Sequence, residues 1–258
     1  MSIPFSCTMC GRCCHGLRLP LGVAEATAWL ERGGDVQLFC EAVPWPEEPA
    51  AGNAMAVYKR RRSFAAWSGQ LPIRVIVSFM ATFEGACPNL LPDMRCGIYE
   101  QRPRACRVYP AEVNPFIRLD PVGKLCPPEA WRSDDILQDD DGTWVAPEVA
   151  DAIHGMREAD ARDASLKARV CSTLRLTMAG LSNEGVVIHE PGRARLMDAL
   201  KEAAMASDQG VHASPGWTFV SHRPATLALL ESASSAHVAA SSLREPGARF
   251  LNFLPAEM

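Results

Sequence analysis

The hydrophobic and polar positions of this chain alternate in some stretches and recur at helical spacing in others, and a long segment between them does neither. Leu17-Arg18-Leu19-Pro20 alternates and predicts a short strand. From Val23 to Glu31 the apolar residues fall at helical spacing, and Gly33-Gly34 ends the pattern. Residues 41–52 contain Pro44, Pro46 and Pro49 and read as a loop. β-Branched and aromatic residues then gather in two strand-like segments, Met55 to Tyr58 and Ile73 to Phe83. Residues 148–180 carry Ala, Leu, Met and Val three and four apart, which predicts a long helix. Gly185 to His189 reads as a strand, and Pro191 opens a helix through Met205, where its missing N–H costs nothing. Trp217 to Val220 is a further short strand and Ala225 to Ala240 a further helix.

The arrhythmic segment, Cys87 to Pro128, is dominated by Pro, Cys and Arg. It holds too few apolar residues for a dense core of its own, so its order is expected from metal ligation. The elements on either side give an α+β fold class. Its N-terminal part, residues 1–132, is cysteine-rich and metal-centred with short strands; residues 133–258 form a mainly helical extension.

Composition narrows the function classes. At 258 residues with 48% hydrophobic and 22% charged content, the chain is an ordinary globular one. A net charge of -4 gives no general basis for binding nucleic acid or an anionic membrane. The one dense basic run, Lys59-Arg60-Arg61-Arg62, reads as a solvated loop or strand end. Leu71 to Phe83 is interrupted by Arg74 and falls short of the roughly 20 apolar residues a bilayer span needs. The N-terminus has no signal-peptide pattern, so a cytoplasmic location is expected.

In that compartment thiols stay reduced, and ten cysteines then point to metal rather than to a disulfide scaffold. Four are packed into Cys7-Thr8-Met9-Cys10-Gly11-Arg12-Cys13-Cys14, and Cys87, Cys96, Cys106 and Cys126 form a second set. Three thiolates at the pitch of Cys7, Cys10 and Cys13 wrap one face of a [4Fe–4S] cluster in bacterial ferredoxins. The fourth ligand there comes from a remote Cys-Pro, a form shared by Cys87-Pro88 and Cys126-Pro127. Gly11 suits a tight loop needing positive φ. Cys14 directly follows Cys13, and adjacent thiolates diverge, so one of the pair is expected to serve a second site. Two four-cysteine zinc sites would use the same eight thiols. The later cysteines are separated by eight, nine and nineteen residues, unlike zinc knuckles, which favours iron–sulfur over zinc. Cys40 and Cys171 fall outside the pattern and read as core thiols.

Phe5-x-Cys7-x2-Cys10-Gly11-x-Cys13-Cys14, joined to Cys96-Gly97-Ile98-Tyr99-x2-Arg102-Pro103-x2-Cys106-Arg107-x-Tyr109-Pro110, resembles the YkgJ-type cysteine-cluster family. That family is described as chelating zinc or iron and includes the flagellin lysine-N-methylases. The resemblance covers roughly residues 5 to 128. It implies a metal site built from Cys7, Cys10, Cys13, Cys14, Cys87, Cys96, Cys106 and Cys126. Through the methylases it also implies S-adenosylmethionine as a cosubstrate and a protein as substrate. The alternative is a non-catalytic, metal-stabilised binding or metal-handling module.

Arg102, Arg104 and Arg107 lie within a few residues of Cys106. Arg102 and Arg107 are candidate cofactor-binding groups, able to neutralise a thiolate-bound cluster and donate to its sulfurs. The same two could instead brace the Tyr-Pro turn against Glu100 or Glu112. Tyr99 and Tyr109 read as packing residues with one satisfied hydroxyl. His15 is a candidate ligand or proton donor beside the cluster, although a histidine in a polar loop is more often neither. His154, His189, His212, His222 and His237 show no ligand spacing. Asp139, Asp141, Gly142 and Glu148 fit four positions of a calcium loop, but Leu137 occupies the first, and the segment reads as an acidic turn. No P-loop, Rossmann glycine fingerprint, nucleophile elbow or radical S-adenosylmethionine Cys-x3-Cys-x2-Cys is present.

Overall fold

The structure is a computed structural model that describes residues 2–206 and 216–253. In chain order its regular elements begin with β1 (Ile3–Pro4), β2 (Leu19–Leu21), α1 (Val23–Glu31) and β3 (Asp35–Pro44). Next come α2 (Ala54–Arg61), β4 (Phe64–Ser68), β5 (Leu71–Thr82), α3 (Arg104–Val108) and β6 (Ile136–Gln138). The remainder holds α4 (Pro147–Arg162), α5 (Ala164–Leu174), β7 (Met178–Leu181), β8 (Gly185–His189) and α6 (Arg193–Met205). It closes with β9 (Thr218–Ser221), α7 (Pro224–Ser232), β10 (His237–Ala239) and β11 (Ala248–Asn252). The fold is α+β, as its pattern of strands and helices predicts.

The centre of the molecule is the long antiparallel pair β3 and β5, in register from Asp35↔Thr82 to Pro44↔Ile73. Both strands split their outer edges. β3 pairs with β8 through Leu38, Phe39 and Cys40 and with β7 through Glu41 and Ala42; β5 pairs with β2 near its end and β4 near its start. With β9, β10 and β11 added, nine strands share one sheet, and β1 and β6 make a separate two-stranded one. Helices α1, α5 and α6 cover one face through Ala26, Trp29, Leu30, Val170, Leu174, Leu196 and Leu200, packed with Leu38, Val75, Val77 and Phe79. Full burial of each such aliphatic side chain is worth about 1.5–3 kcal/mol, which makes this face the main source of stability. Strands from both sides of residue 132 meet in this sheet and core, so that position marks the end of the cysteine-bearing segment rather than a gap in packing.

Several local expectations change in the structure. Met55 to Tyr58 lies in α2, where Asn53 caps the helix by accepting from the Ala56 N–H at 3.0 Å. The basic run is the last turn of that helix, favourable to cations. The helical pattern of residues 148–180 is two helices meeting at Asp163, and Arg175 at φ 57 ends the second before β7 begins. The Ala225 to Ala240 helix stops at Ser232, and His237 opens a strand. Residues 41–44 of the expected loop belong to β3. β2, α1, β5, β8, α6 and β9 otherwise occupy the stretches in which the patterns place regular structure, and β1 at Ile3–Pro4 is an addition.

Candidate metal centre

Two of the thiols are placed by sheet register. β2 and β5 pair Leu19 with Ala81, and the ladder continues outward through an isolated bridge between His15 and Ala86. One step further the Cys87 N–H donates to the Cys14 carbonyl at 2.6 Å. The turn that follows returns the chain on itself: Leu90 bridges Cys96, and the Gly97 N–H donates to Asn89 at 2.7 Å. Cys96 is thereby brought back toward Cys87, while the Asn89 amide reaches the Cys87 sulfur at 4.0 Å. Cys106 comes from α3, whose first residue, Arg104, gives its N–H to the Glu25 carboxylate at 2.8 Å. Glu25 also takes the Gly22 N–H at 2.9 Å, so one carboxylate ties α3 to the start of α1. From the other side, Val108 and Ala111 pack on Ala152 and Ile153 of α4.

A different set of contacts positions the remaining thiols. β1 pairs with β6, the Phe5 N–H donates to Asp135 at 2.8 Å and the Ser6 N–H to Ala130 at 2.9 Å. The Phe5 and Trp131 rings lie 5.0 Å apart. Cys7 therefore starts from the turn that contains Cys126. That turn is held by Tyr109, whose hydroxyl accepts the Leu125 N–H at 2.7 Å and also hydrogen-bonds the Cys126 sulfur. The Tyr109–Pro110 peptide is cis. Between Cys10 and Cys13, Gly11 sits at φ 68, and the Met94 methyl lies 2.4 Å from where a Cβ would be. A side chain there is strained by the positive φ and must displace the Met94 methyl, in keeping with the positive-φ requirement anticipated for this loop.

The eight thiols thus fall into two neighbourhoods. Burial, then a partly offsetting hydrogen bond from Cys14, then the charges of Cys7, Cys126 and Cys10 set the Cys13 thiol above its ordinary value. Burial first, with Cys10 and Cys7 next, pushes Cys126 up to about 11. Cys14 belongs to the other side: burial, Cys13, Cys87 and Cys96 push it up to about 12. Cys106 is likewise pushed up to about 12 by burial and by Cys14, Cys87, Cys13 and Cys96. Cys7 and Cys10 act on Cys126, Cys87 and Cys96 act on Cys14 and Cys106, and Cys13 is felt on both sides. The adjacent Cys13 and Cys14, hydrogen-bonded to each other, join them.

Crowded thiols that hold their protons are poor neighbours for one another and good ones for a cation, which replaces four protons at once. The donor set is all sulfur, suited to zinc or iron–sulfur rather than magnesium or calcium. As placed, no three His, Cys, Asp or Glu side chains among the described residues stand close enough to hold a metal ion.

The other residues singled out from the sequence occupy plainer positions. The Arg102 guanidinium stacks 3.8 Å over the Tyr99 ring, and Arg107 donates to the Glu100 carbonyl at 2.6 Å. Glu112 pairs with Lys124 at 2.5 Å instead of with an arginine. Lys124 also lowers the cost of charging Cys126, a cation that the sequence does not advertise. His15 places Nδ1 3.0 Å from the Gly11 carbonyl and so closes the loop around Cys13 and Cys14. Cys40 and Cys171 are buried in the main core and hydrogen-bond each other, apart from the eight clustered thiols. Asp139 caps its own turn by accepting from Asp141 and Thr143 at 3.0 and 2.8 Å. His212 lies outside the described residues. Asn89, Met94 and Lys124 are the site residues that sequence reasoning misses. Their one signal is position, each within two residues of a cysteine.

Among the described residues no helix is long and apolar enough to cross a membrane. No curated protein and no solved structure matches the chain. Residues 6–127 match one family model, the same span that holds all eight clustered cysteines. With its thiols gathered from five separate segments and its donor set restricted to sulfur, this part of the chain is similar to the CxxCxxCC family, described as a "putative zinc- or iron-chelating domain".

Proposed function

We propose that the chain is an iron–sulfur protein that holds a [4Fe–4S] cluster on Cys7, Cys10, Cys13 and Cys126 and works as a metal-handling module in the reducing cytoplasm. One observation carries the reading. Of the two cysteines followed by proline, Cys126 is the one whose following segment is tied to the segment of Cys7, through the Ser6 N–H to Ala130 and the Phe5 N–H to Asp135, and this supports its pairing with the Cys-x2-Cys-x2-Cys run. Three thiolates at that pitch plus a remote Cys-Pro is the ferredoxin ligand set. The cluster, when bound, supplies an electron-accepting, anionic centre. Around it Lys124 offsets charge beside Cys126, the Tyr109 hydroxyl orients the Cys126 sulfur, and Gly11 gives the loop its left-handed turn.

Four protein thiols at one cluster leave no ligand position for a substrate, which favours metal handling over the protein-modifying methyltransferase that the family resemblance implies. Anaerobic purification followed by iron, sulfide and zinc analysis tests the cluster: iron and sulfide in equal amounts with broad visible absorption are expected. A colourless protein with zinc alone overturns it. Calorimetry with S-adenosylmethionine on metal-replete protein tests the second half. No heat is expected, and saturable binding would restore the transferase.

A further inference from the structure

We infer that the cavity between the end of α2, the start of β5 and the start of α5 is a binding site for a small phosphate ester, with the phosphoryl group held by Arg60, Arg61 and Arg74. The site stands apart from the metal centre and does not depend on it.

The cavity measures about 470 Å³ and opens to solvent, within the roughly 300–1,000 Å³ of small-molecule sites. Arg60, Arg61, Arg74, the serines Ser63 and Ser165 and the Phe64 side chain line it, and no carboxylate does. Arg74 is fixed before any ligand arrives. Its Nε donates to the Ser63 hydroxyl at 2.7 Å, and Nη2 donates to the Ser63 and Arg60 carbonyls at 2.6 and 3.1 Å. A guanidinium held in this way loses little freedom on meeting an anion.

The last turn of α2 is a favourable place for cations, which accounts for Arg60 and Arg61 but not for a third arginine brought beside them from β5. Arg62, in the same run, turns away to Tyr58, Ser78 and Asp160. Arg61 has no hydrogen-bond or ion-pair partner among the described residues. Glu48 offsets one charge, pairing with Arg60 at 3.3 Å where both side chains are largely exposed. The carboxylates behind the cavity are engaged elsewhere, Asp160 with Lys167 and Asp163 with the Val23 N–H. Burial, and then the charge of Arg60, hold the Arg74 guanidinium below its ordinary value against the pull of Glu48. Three cations less one carboxylate leave two positive charges. A phosphate monoester carries about -1.5 to -2 at neutral pH and matches that surplus better than a single carboxylate does. The cavity is larger than a phosphate ion, and the space along Phe64 takes the organic part of the ester.

Calorimetry on the full chain with ribose 5-phosphate, inorganic phosphate and ribose tests the site. Ribose 5-phosphate is expected to bind saturably and more tightly than inorganic phosphate, and ribose to give no heat. Arg61→Gln should weaken the ester on the order of tenfold or more at an unchanged circular dichroism spectrum, because a charged hydrogen bond is lost. Arg61→Lys should weaken it less. Arg244→Gln, which removes an exposed arginine elsewhere, should bind as wild type does. No binding of ribose 5-phosphate at millimolar concentration overturns the inference, as does binding of inorganic phosphate alone. Ester binding that Arg61→Gln leaves unchanged would put the anion elsewhere in the molecule, the metal centre included, and overturns it too.

Discussion

Gly11 sits at φ 68 with the Met94 methyl in the space a side chain would need, and this contact joins the Cys10–Cys13 loop to the loop between Cys87 and Cys96. Gly11→Ala adds left-handed strain of roughly 1–2 kcal/mol and displaces Met94, so weaker metal retention against a chelator is expected at unchanged far-ultraviolet spectrum. Cys10→Ser and Cys13→Ser should lose metal, whereas Cys40→Ser and Cys171→Ser should keep it, because those two thiols are core groups facing each other. Elemental analysis of the four variants separates the classes; a metal-free Cys171→Ser would break the partition. Two buried charges lie outside the site. Lys167 is 2% exposed and pairs with Asp160 at 2.9 Å over the Phe79 ring. Asp160→Ala strands that ammonium and is expected to cost on the order of 2–3 kcal/mol, less than a fully buried pair because Asp160 itself reaches solvent. His189 is buried in β8 with Nε2 2.9 Å from the Met178 carbonyl, and burial holds its pKa below the ordinary 6.5. The unfolded chain takes up this proton near pH 6.5 and the folded chain only below it. The stability it secures is therefore present above pH 6.5 and is lost as pH falls through the folded value. His189→Gln should show a shallower fall of melting temperature between pH 7 and 5 than wild type; parallel curves would assign the acid sensitivity elsewhere.

At the scale of elements, register does the positioning. The β2–β5 ladder sets Cys14 across from Cys87, and α3 brings Cys106 to them only because α4 supports its far side. Ile153→Ala removes buried volume from that support and is expected to cost about 2–4 kcal/mol. Its signature is specific: metal held by Cys106 should become more chelator-labile than in wild type, with retention at Cys126 unchanged. Equal loosening of both would mean that α4 does not support α3 in particular. Elements with a clean local signal were legible from sequence. Val23–Glu31 and Gly185–His189 appear at the bounds their patterns set, since helical spacing in one and a β-branched run in the other agree with their surroundings. α2 was hidden because Met, Val and Tyr in its middle look strand-like, whereas Asn53 and the run of Lys and Arg decide for a helix. β3 was obscured at its end by Pro44, tolerated there because the strand stops on it.

For the whole molecule, the cysteine segment has little core of its own and borrows one. Cys87 and Cys106 pack on a sheet whose strands come from both ends of the chain, and residues beyond 132 complete the support that the clustered thiols need. The candidate site was legible as a set of eight cysteines, because thiols so densely spaced in a reduced chain have little use besides holding metal. Which of them share a site was not, since loop closure over eight to nineteen residues leaves every grouping open. The arginines beside Cys106 illustrate the same limit: their spacing suited a cluster, while Arg102 in fact lies on Tyr99 and Arg107 on Glu100. Native mass spectrometry of the anaerobically purified chain tests the central claim most directly. The account predicts a mass above that of the 28.0 kDa polypeptide by a bound iron–sulfur or metal load, lost in Cys13→Ser. A bare polypeptide mass for wild type, with the eight clustered thiols open to alkylation, would contradict it.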